Sequence, residues 1–228
     1  MTIIALARNG KAIAECGSLS VVGYSLKAAR TGFHPEKGAR VTKKFNGERR
    51  SLYAGKVVDL GLDTVELPNG ELVELEIVRH PGGAAAVAMD EQGRVCLLRQ
   101  YRHAAGGWLW ELPAGKIDAG ETPAGTVRRE LIEEAGVEAN DWADLGFLFS
   151  SPGVFTEIIH LYLARDLQMV AQGHESGEVI EVHWIPLIQA VRWCSDGTIT
   201  DAKTLIGLFR TESKTRHLTG FDLEEPGC

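Results

Sequence analysis

The sequence predicts an α/β (α+β) domain in which a mixed β-sheet lies between helices and is preceded by an antiparallel strand region. Three observations carry this expectation. From Leu52 onward, short runs alternate apolar and polar residues and are parted by turn residues, as strands do. One well-punctuated amphipathic helix interrupts those runs, and a second follows the last of them. Strand groups that flank one helix and end in another point to a sheet covered by helices rather than to an all-β sandwich.

The first fifty residues stand apart. They hold ten Lys or Arg against three Glu, a charge of +7, whereas residues 51–228 carry 14 bases against 28 acids, a charge of −14. Six glycines break any long periodic element there. The expectation is a basic extension over residues 1–50, loosely attached, ahead of a domain over 51–228. A nucleic-acid-binding arm is the alternative, with only Tyr24, Phe33 and Phe45 to stack on bases.

The elements follow in order. Residues 53–80 read as two or three antiparallel strands around a turn at Pro68-Asn69-Gly70. The run Ala84–Met89, a turn at Asp90–Gly93 and a strand Arg94–Gln100 repeat that form. A short strand then ends at Pro113. Thr122 to Ala135 is the clearest helix. Thr122 suits its N-cap, Pro123 its first position and Gly136 the left-handed site past its end. Val127, Leu131 and Ala135, with Ala124 beside them, form its apolar stripe. Three more strand candidates start at Leu145, Ile158 and Val179. Residues 201–210 close the pattern as a helix with Ala202, Leu205, Ile206 and Phe209 on one face.

Composition narrows the class. With 44% hydrophobic and 24% charged residues in 228, the chain can bury a real core, which argues against a disordered or collagen-like chain. No apolar run approaches the roughly 20 residues of a membrane-spanning helix, so no membrane partner is expected. Cys16, Cys96, Cys194 and Cys228 are scattered, which suggests neither a disulfide framework nor a zinc site. The opening MTIIALA is too short for a signal peptide, and a cytoplasmic protein is expected.

The chemistry concentrates on the first helix. Glu130, Glu133 and Glu134 fall at i, i+3 and i+4, within one arc beside the apolar stripe. Like charges at this spacing destabilise an isolated helix. Taken alone, such a triplet reads as a solvated acidic face helped by Arg128 and Arg129. It makes further sense around a divalent cation, for which hard oxygens suit Mg2+ or Mn2+. Upstream, Gly115 and Gly120 allow a tight loop whose backbone carbonyl can add another oxygen.

This stretch closely resembles the Nudix box, G-x5-E-x7-R-E-U-x-E-E-x-G-U with U aliphatic. Here it reads Gly115, Glu121, Arg129, Glu130, Leu131, Glu133, Glu134, Gly136 and Val137, with every position matched at the right spacing. The resemblance implies a Nudix fold and hydrolysis of a nucleoside diphosphate linked to another moiety, with Mg2+ or Mn2+ and an activated water. It implies that Glu130 and Glu134 bind metal, that Glu133 binds metal or supports those that do, and that the Ala114 carbonyl is a further ligand. Arg129 and Glu121 would pair to brace the loop on the helix, with Gly115 and Gly136 as structural positions of the box.

The likeness extends to HPGGAAAV, LLRQYRH, LWELPAGKID and SSPGVFTE, which are similar to the ADP-ribose pyrophosphatase branch. A proline fifteen residues past the box marks that branch; here it is Pro152. The match runs from about Leu52 to Arg210, including DAKT at 201–204. It implies cleavage of ADP-ribose to AMP and ribose 5-phosphate by a homodimer, with residues 52–78 at the interface. It places a general base and one more metal-linked Glu on a loop matching HESGEVIEV. Glu178 aligns best with the metal-linked position, and the base falls to Glu175 or Glu178. Arg79 and Arg102 resemble positions that hold the diphosphate or the far ribose, and Ser151, Pro152 and Gly153 a loop over the terminal ribose. Glu111 either contacts substrate or the dimer mate, or is a buried structural carboxylate. Related nucleoside-diphosphate-sugar hydrolases, of GDP-mannose or UDP-glucose type, are the near alternative. A non-catalytic nucleotide sensor or nucleic-acid-binding protein is the distant one, since such proteins usually lose box carboxylates. Trp108, Trp110 and Trp184 are expected to pack, His103, His160 and His183 to be structural, and Cys96 to be inert.

Overall fold

The computed structural model describes residues 47–171 and 179–218. The basic extension therefore lies outside the described residues up to position 46. The first strand, β1 (Glu48–Ala54), already begins before the Arg50 boundary read from charge.

β1, β2 (Asp59–Glu66) and β3 (Leu72–Arg79) form an antiparallel meander, with the turn at Pro68-Asn69-Gly70 joining the last two. Asp63 of β2, only 4% exposed, is held between the guanidinium groups of Arg49 and Arg79. Those two cations balance a carboxylate whose burial alone would push its pKa up, and they hold it below its ordinary value.

β4 (Gly83–Ala88) and β5 (Arg94–Arg102) do not repeat this hairpin. One isolated bridge, Met89 to Val95, is all that pairs the segment leaving β4 with β5. Beyond it the strands diverge into separate sheets. β4 joins β7 (Ala114–Lys116), β9 (Ile158–Met169) and β8 (Val137–Phe149) in a mixed sheet ordered β7-β4-β9-β8, where β4 and β9 run parallel. β5 lies between β10 (Ile180–Pro186) and β6 (Gly107–Glu111) in an antiparallel sheet. Both strands are buried on two faces, and a strand with two covered faces takes partners from whichever sheet completes its layer.

The burial of β4 explains the layering. Alternate side chains of a strand point to opposite faces. Ala85 and Val87 join Leu112, Leu161, Leu163, Ala190 and Leu208 in one core, under α2 (Leu187–Asp196) and α3 (Ala202–Leu218). Ala84, Ala86 and Ala88 join Val127, Leu131 and Ala135 in the other, under α1 (Pro123–Ala135). The result is the mixed sheet between helices expected from sequence.

α1 follows its local signals. Thr122 Oγ1 accepts the Gly125 N–H at 3.1 Å, Pro123 opens the helix, and Gly136 closes it at φ 64° with its N–H on the Ile132 carbonyl. Ala124 differs from expectation: it is exposed in the first turn, and Thr126 takes the buried place. α3 differs more. Phe209 and Ala202 are exposed, and the buried side is Thr204, Gly207, Leu208 and Thr211. A Cβ on Gly207 would fall 2.7 Å from Leu112 Cδ1, so the missing side chain is what lets α3 sit against the core. α2 was not anticipated, because the apolar run of β10 leads into it through Pro186 without a polar cap.

Candidate active site

The site begins where β7 meets α1. Gly115 passes so close to the helix that a Cβ there would fall 1.8 Å from Glu130 Oε1 and 2.0 Å from its Cδ. No side chain fits, which accounts for the first glycine of the box. One residue earlier, the Ala114 N–H donates to Glu134 Oε2 at 2.8 Å. Glu134 is 3% exposed, and this bond fixes its carboxylate beside the strand.

Arg129 meets the repulsion among the glutamates. Its Nη1 donates to Glu130 Oε1 at 2.8 Å and to Glu133 Oε2 at 2.9 Å. Its Nε and Nη2 grip Glu121 at 3.0 and 3.1 Å. Glu121 also accepts the Thr126 hydroxyl at 2.7 Å. Arg129 and then Thr126 hold the Glu121 carboxyl down at about 2. The brace between Glu121 and Arg129 is therefore in place, and it extends to two of the three box carboxylates.

A second group gathers at the end of β5, the end of β6 and the start of α3. Arg102 grips Glu111 with two parallel bonds, 2.8 Å to Oε1 and 2.9 Å to Oε2. Lys203 Nζ donates to the same Oε2 and lies 3.1 Å from Asp201 Oδ2. Glu111 is 2% exposed. Burial pushes its carboxyl up, but Arg102 and Lys203 outweigh that and hold it at about 2. Asp201 in turn caps α3, accepting the Thr204 N–H at 3.0 Å and the Thr204 hydroxyl at 2.6 Å. Thr204 Oγ1 accepts the buried Leu112 N–H at 2.9 Å, which ties the helix start to the end of β6.

His80 and Glu157 form a third group. The Gly82 N–H donates to His80 Nδ1 at 3.1 Å, and burial drives the imidazole pKa down against the pull of Glu157. The ring is thus neutral near pH 7. Its approach to Glu157 Oε1, at 3.2 Å, is not a salt bridge there.

These groups share one cleft of about 870 Å3. Of the residues singled out from sequence, Ala114, Gly115, Arg102, Glu111, Arg129, Glu130, Glu133 and Glu134 line it. Arg79 is not on its wall; it faces Asp63 in the strand meander at 3.1 Å. Ser151, Pro152 and Gly153 are exposed and also off the wall, where Ser150 stands instead. Gly136 is the helix cap, and Glu121 braces without lining the cleft. Glu175 and Glu178 lie outside the described residues. His80, Glu157, Asp201 and Lys203 line the cleft without having been read as site residues. Their motifs, HPGG, VFTE and DAKT, were visible, but only spatial neighbours give those side chains a role.

Among the described residues, no group of three or more His, Cys, Asp or Glu side chains would hold a metal ion by itself. The oxygens on offer are carboxylates of Glu130, Glu133 and Glu134 and the backbone of Ala114 and Gly115 at one wall. Such hard donors suit a cation that keeps several waters and takes further oxygens from a phosphate, as Mg2+ does. Trp110 packs as expected, 5.2 Å from Trp193 and 4.9 Å from His183, centroid to centroid, whereas Trp108 is exposed beside Tyr101 and the Arg99 guanidinium. Burial pushes the Cys96 thiol up to about 12, which keeps it protonated and inert.

A mixed sheet between helices, with the box helix and its glycine loop forming one wall of a carboxylate-lined cleft, is the architecture of a Nudix domain. The NUDIX domain model matches residues 79–205, and the chain belongs to that family. It is 36% identical over 158 residues to an ADP-ribose pyrophosphatase of Bacillus subtilis, covering 68% of this chain and 85% of that protein. It is 37% identical over 179 residues to an ADP-ribose pyrophosphatase of Mycobacterium tuberculosis, covering 77% and 85%. A GDP-mannose pyrophosphatase of Citrobacter koseri is 36% identical over 150 residues, covering 60% and 78%. The fold is shared with the crystal structure of an ADP compounds hydrolase, at a TM-score of 0.65 and 21% identity, over 78% of this chain and 99% of that one.

Proposed function

We propose that the protein hydrolyses the diphosphate of ADP-ribose, giving AMP and ribose 5-phosphate. The observation that carries this is the placement of Glu130, Glu133 and Glu134 on one wall of a single cleft, against a loop backbone that only glycine permits. The similarity to two ADP-ribose pyrophosphatases over most of both chains supports the choice of substrate.

In this reading Glu130 and Glu134, with the Ala114 carbonyl, hold Mg2+ or Mn2+, and Glu133 holds metal or supports those that do. A bound divalent ion lowers the pKa of water and offsets phosphate charge. Arg129, gripped by Glu121, keeps Glu130 and Glu133 in register, and the Ala114 N–H keeps Glu134 beside the loop. Arg102, its guanidinium oriented by Glu111, presents donors to the diphosphate oxygens. Glu175 or Glu178 accepts a proton from the attacking water, and Glu178 adds a metal-linked carboxylate. Water adds to one phosphorus, the bridging P–O bond breaks, and each product leaves with one phosphate. Ser151, Pro152 and Gly153 shape the loop near the terminal ribose, and Arg79, bound to Asp63, supports the site through the strand meander.

A homodimer fits this reading. Leu52, Tyr53, Leu72 and Leu75 leave apolar surface exposed on the strand meander, more than a monomer gains from showing. Scattered cysteines fit a cytoplasmic protein, and no helix among the described residues is long and apolar enough to cross a membrane. The GDP-mannose pyrophosphatase relatives favour a second reading, in which another nucleoside diphosphate sugar is the substrate. Mass-spectrometric product analysis over a panel of nucleoside diphosphate compounds, with Mg2+ or Mn2+, separates the two. AMP and ribose 5-phosphate formed fastest from ADP-ribose are expected. Preference for a GDP- or UDP-sugar would replace the first reading with the second.

A further inference from the structure

Where the strand meander meets the cleft, His80 anchors the tip of the β8–β9 hairpin. Its N–H donates to Thr156 Oγ1 at 3.0 Å, and its ring lies 5.3 Å from that of Phe155, centroid to centroid. Val78 grips the same segment from β3: its N–H donates to the Val154 carbonyl at 2.8 Å, and its carbonyl accepts the Thr156 N–H at 3.0 Å. The hairpin tip is thereby pinned to the meander, with His80 and Glu157 both on the cleft wall.

His80 Nδ1 faces two groups with opposite demands. The Gly82 N–H, 3.1 Å away, calls for an acceptor, whereas Glu157 Oε1, 3.2 Å away, calls for a donor. One nitrogen cannot serve as both. With the ring neutral and Nδ1 taken by Gly82, the lone pairs of nitrogen and carboxylate oppose each other. With Nδ1 protonated, the same approach becomes a charge-assisted hydrogen bond. The two side chains are only 10% and 19% exposed, so solvent ions screen this contact little. Lys116 of β7 is the other charge that acts on the ring, and Arg79, which precedes it, is turned to Asp63. Burial lowers the imidazole pKa from 6.5, against Glu157 and with Lys116, so the change-over falls on the acid side of that value.

We propose that His80 is a positioning residue that acts through Glu157: the neutral ring leaves the carboxylate turned to the cleft, as an acceptor for hydroxyls of the sugar end of the substrate, and the protonated ring draws it back onto Nδ1. This rests on the reading of the cleft as the site of a diphosphate-linked sugar and gives one wall of it a pH-dependent setting. The direction is diagnostic. Adding protons to any other acid of the wall, or to the ring itself, favours an anionic diphosphate by charge alone. Binding that weakens in acid therefore reports the loss of an acceptor.

The test is calorimetric binding of ADP-ribose to the full chain in EDTA, at about pH 5 and about pH 8, for the wild type and His80→Asn. The Asn amide oxygen can take the place of Nδ1 and accept the Gly82 N–H, but it takes up no proton. The wild type is expected to bind about threefold to tenfold more weakly at the lower pH, and His80→Asn to bind alike at both. Wild-type binding that is flat or stronger in acid, the same acid weakening in His80→Asn, or no binding by the wild type overturns the proposal. A second measurement needs no His80 variant. The imidazole 15N resonances should show Nδ1 gaining its proton in acid, with a midpoint that moves down by about one pH unit in Glu157→Gln; an unmoved midpoint overturns the proposal. Neither readout involves turnover. A wild type with this pH dependence that leaves ADP-ribose intact in Mg2+ would defeat the proposed activity and leave the role of His80 standing, and hydrolysis with pH-independent binding would do the reverse.

Discussion

The charge state of Glu111 shows how single residues set the working range of the cleft. Its carboxyl is held at about 2 in the fold, below the ordinary 4.5, so its pairing with Arg102 and Lys203 stabilises fully above about pH 4.5. That contribution fades as the pH falls through about 2. Glu111→Gln should lower stability near pH 7 by about 2 kcal/mol, a modest figure for a buried pair because Arg102 is partly exposed. In denaturant melts the gap to the wild type should narrow below pH 4.5 and close near 2. Glu134→Gln is a different experiment on the same scale. The amide oxygen can still accept the Ala114 N–H, so the melt should hardly move, while turnover should fall by about a hundredfold or more as the charge is lost. Near-normal turnover in that variant would defeat the role given to the box carboxylates.

Elements differ in how far the sequence announces them, and the difference follows from where their determinants lie. α1 is written locally: Thr122, Pro123 and Gly136 each act within a few residues, and the glutamate triplet comes with its spacing. α3 is not. Its buried side is chosen by Gly207 against Leu112 and by Thr204 bonding the Leu112 N–H, contacts made across the fold to residues that a hydrophobicity pattern scores as polar or breaking. Arg79 and Arg102 looked alike in sequence, yet Asp63 captures one and Glu111 the other, since each partner lies on a neighbouring strand. Two substitutions probe these junctions. Thr204→Val leaves the Leu112 N–H unsatisfied in the core and should cost about 1–3 kcal/mol in denaturant melts. Gly115→Ala puts a methyl where Glu130 Oε1 lies, 1.8 Å away. Its carboxylate must leave, so turnover should drop sharply, and wild-type turnover would show that the loop and helix can part without harm.

At the level of the whole molecule, residues 1–46 and the strand meander should separate cleanly in a truncation series. A chain starting at Gly47 should keep the wild-type melting midpoint and turnover. Deleting through Ala54 removes Arg49, which pairs with Asp59 and with the buried Asp63, and should cost about 1–3 kcal/mol by the same melts. Equal behaviour of the two truncations would mean that β1 contributes nothing to the domain. The parting of β4 and β5 into different sheets has a temporal consequence. Each strand waits for a distant partner, β9 for one and β10 for the other, and the Glu111–Lys203 bond joins residues 92 apart in the chain. During synthesis, the box helix leaves the ribosome long before the segment that completes the opposite side of the cleft. A nascent chain therefore carries its acidic triplet for some time with no finished pocket around it.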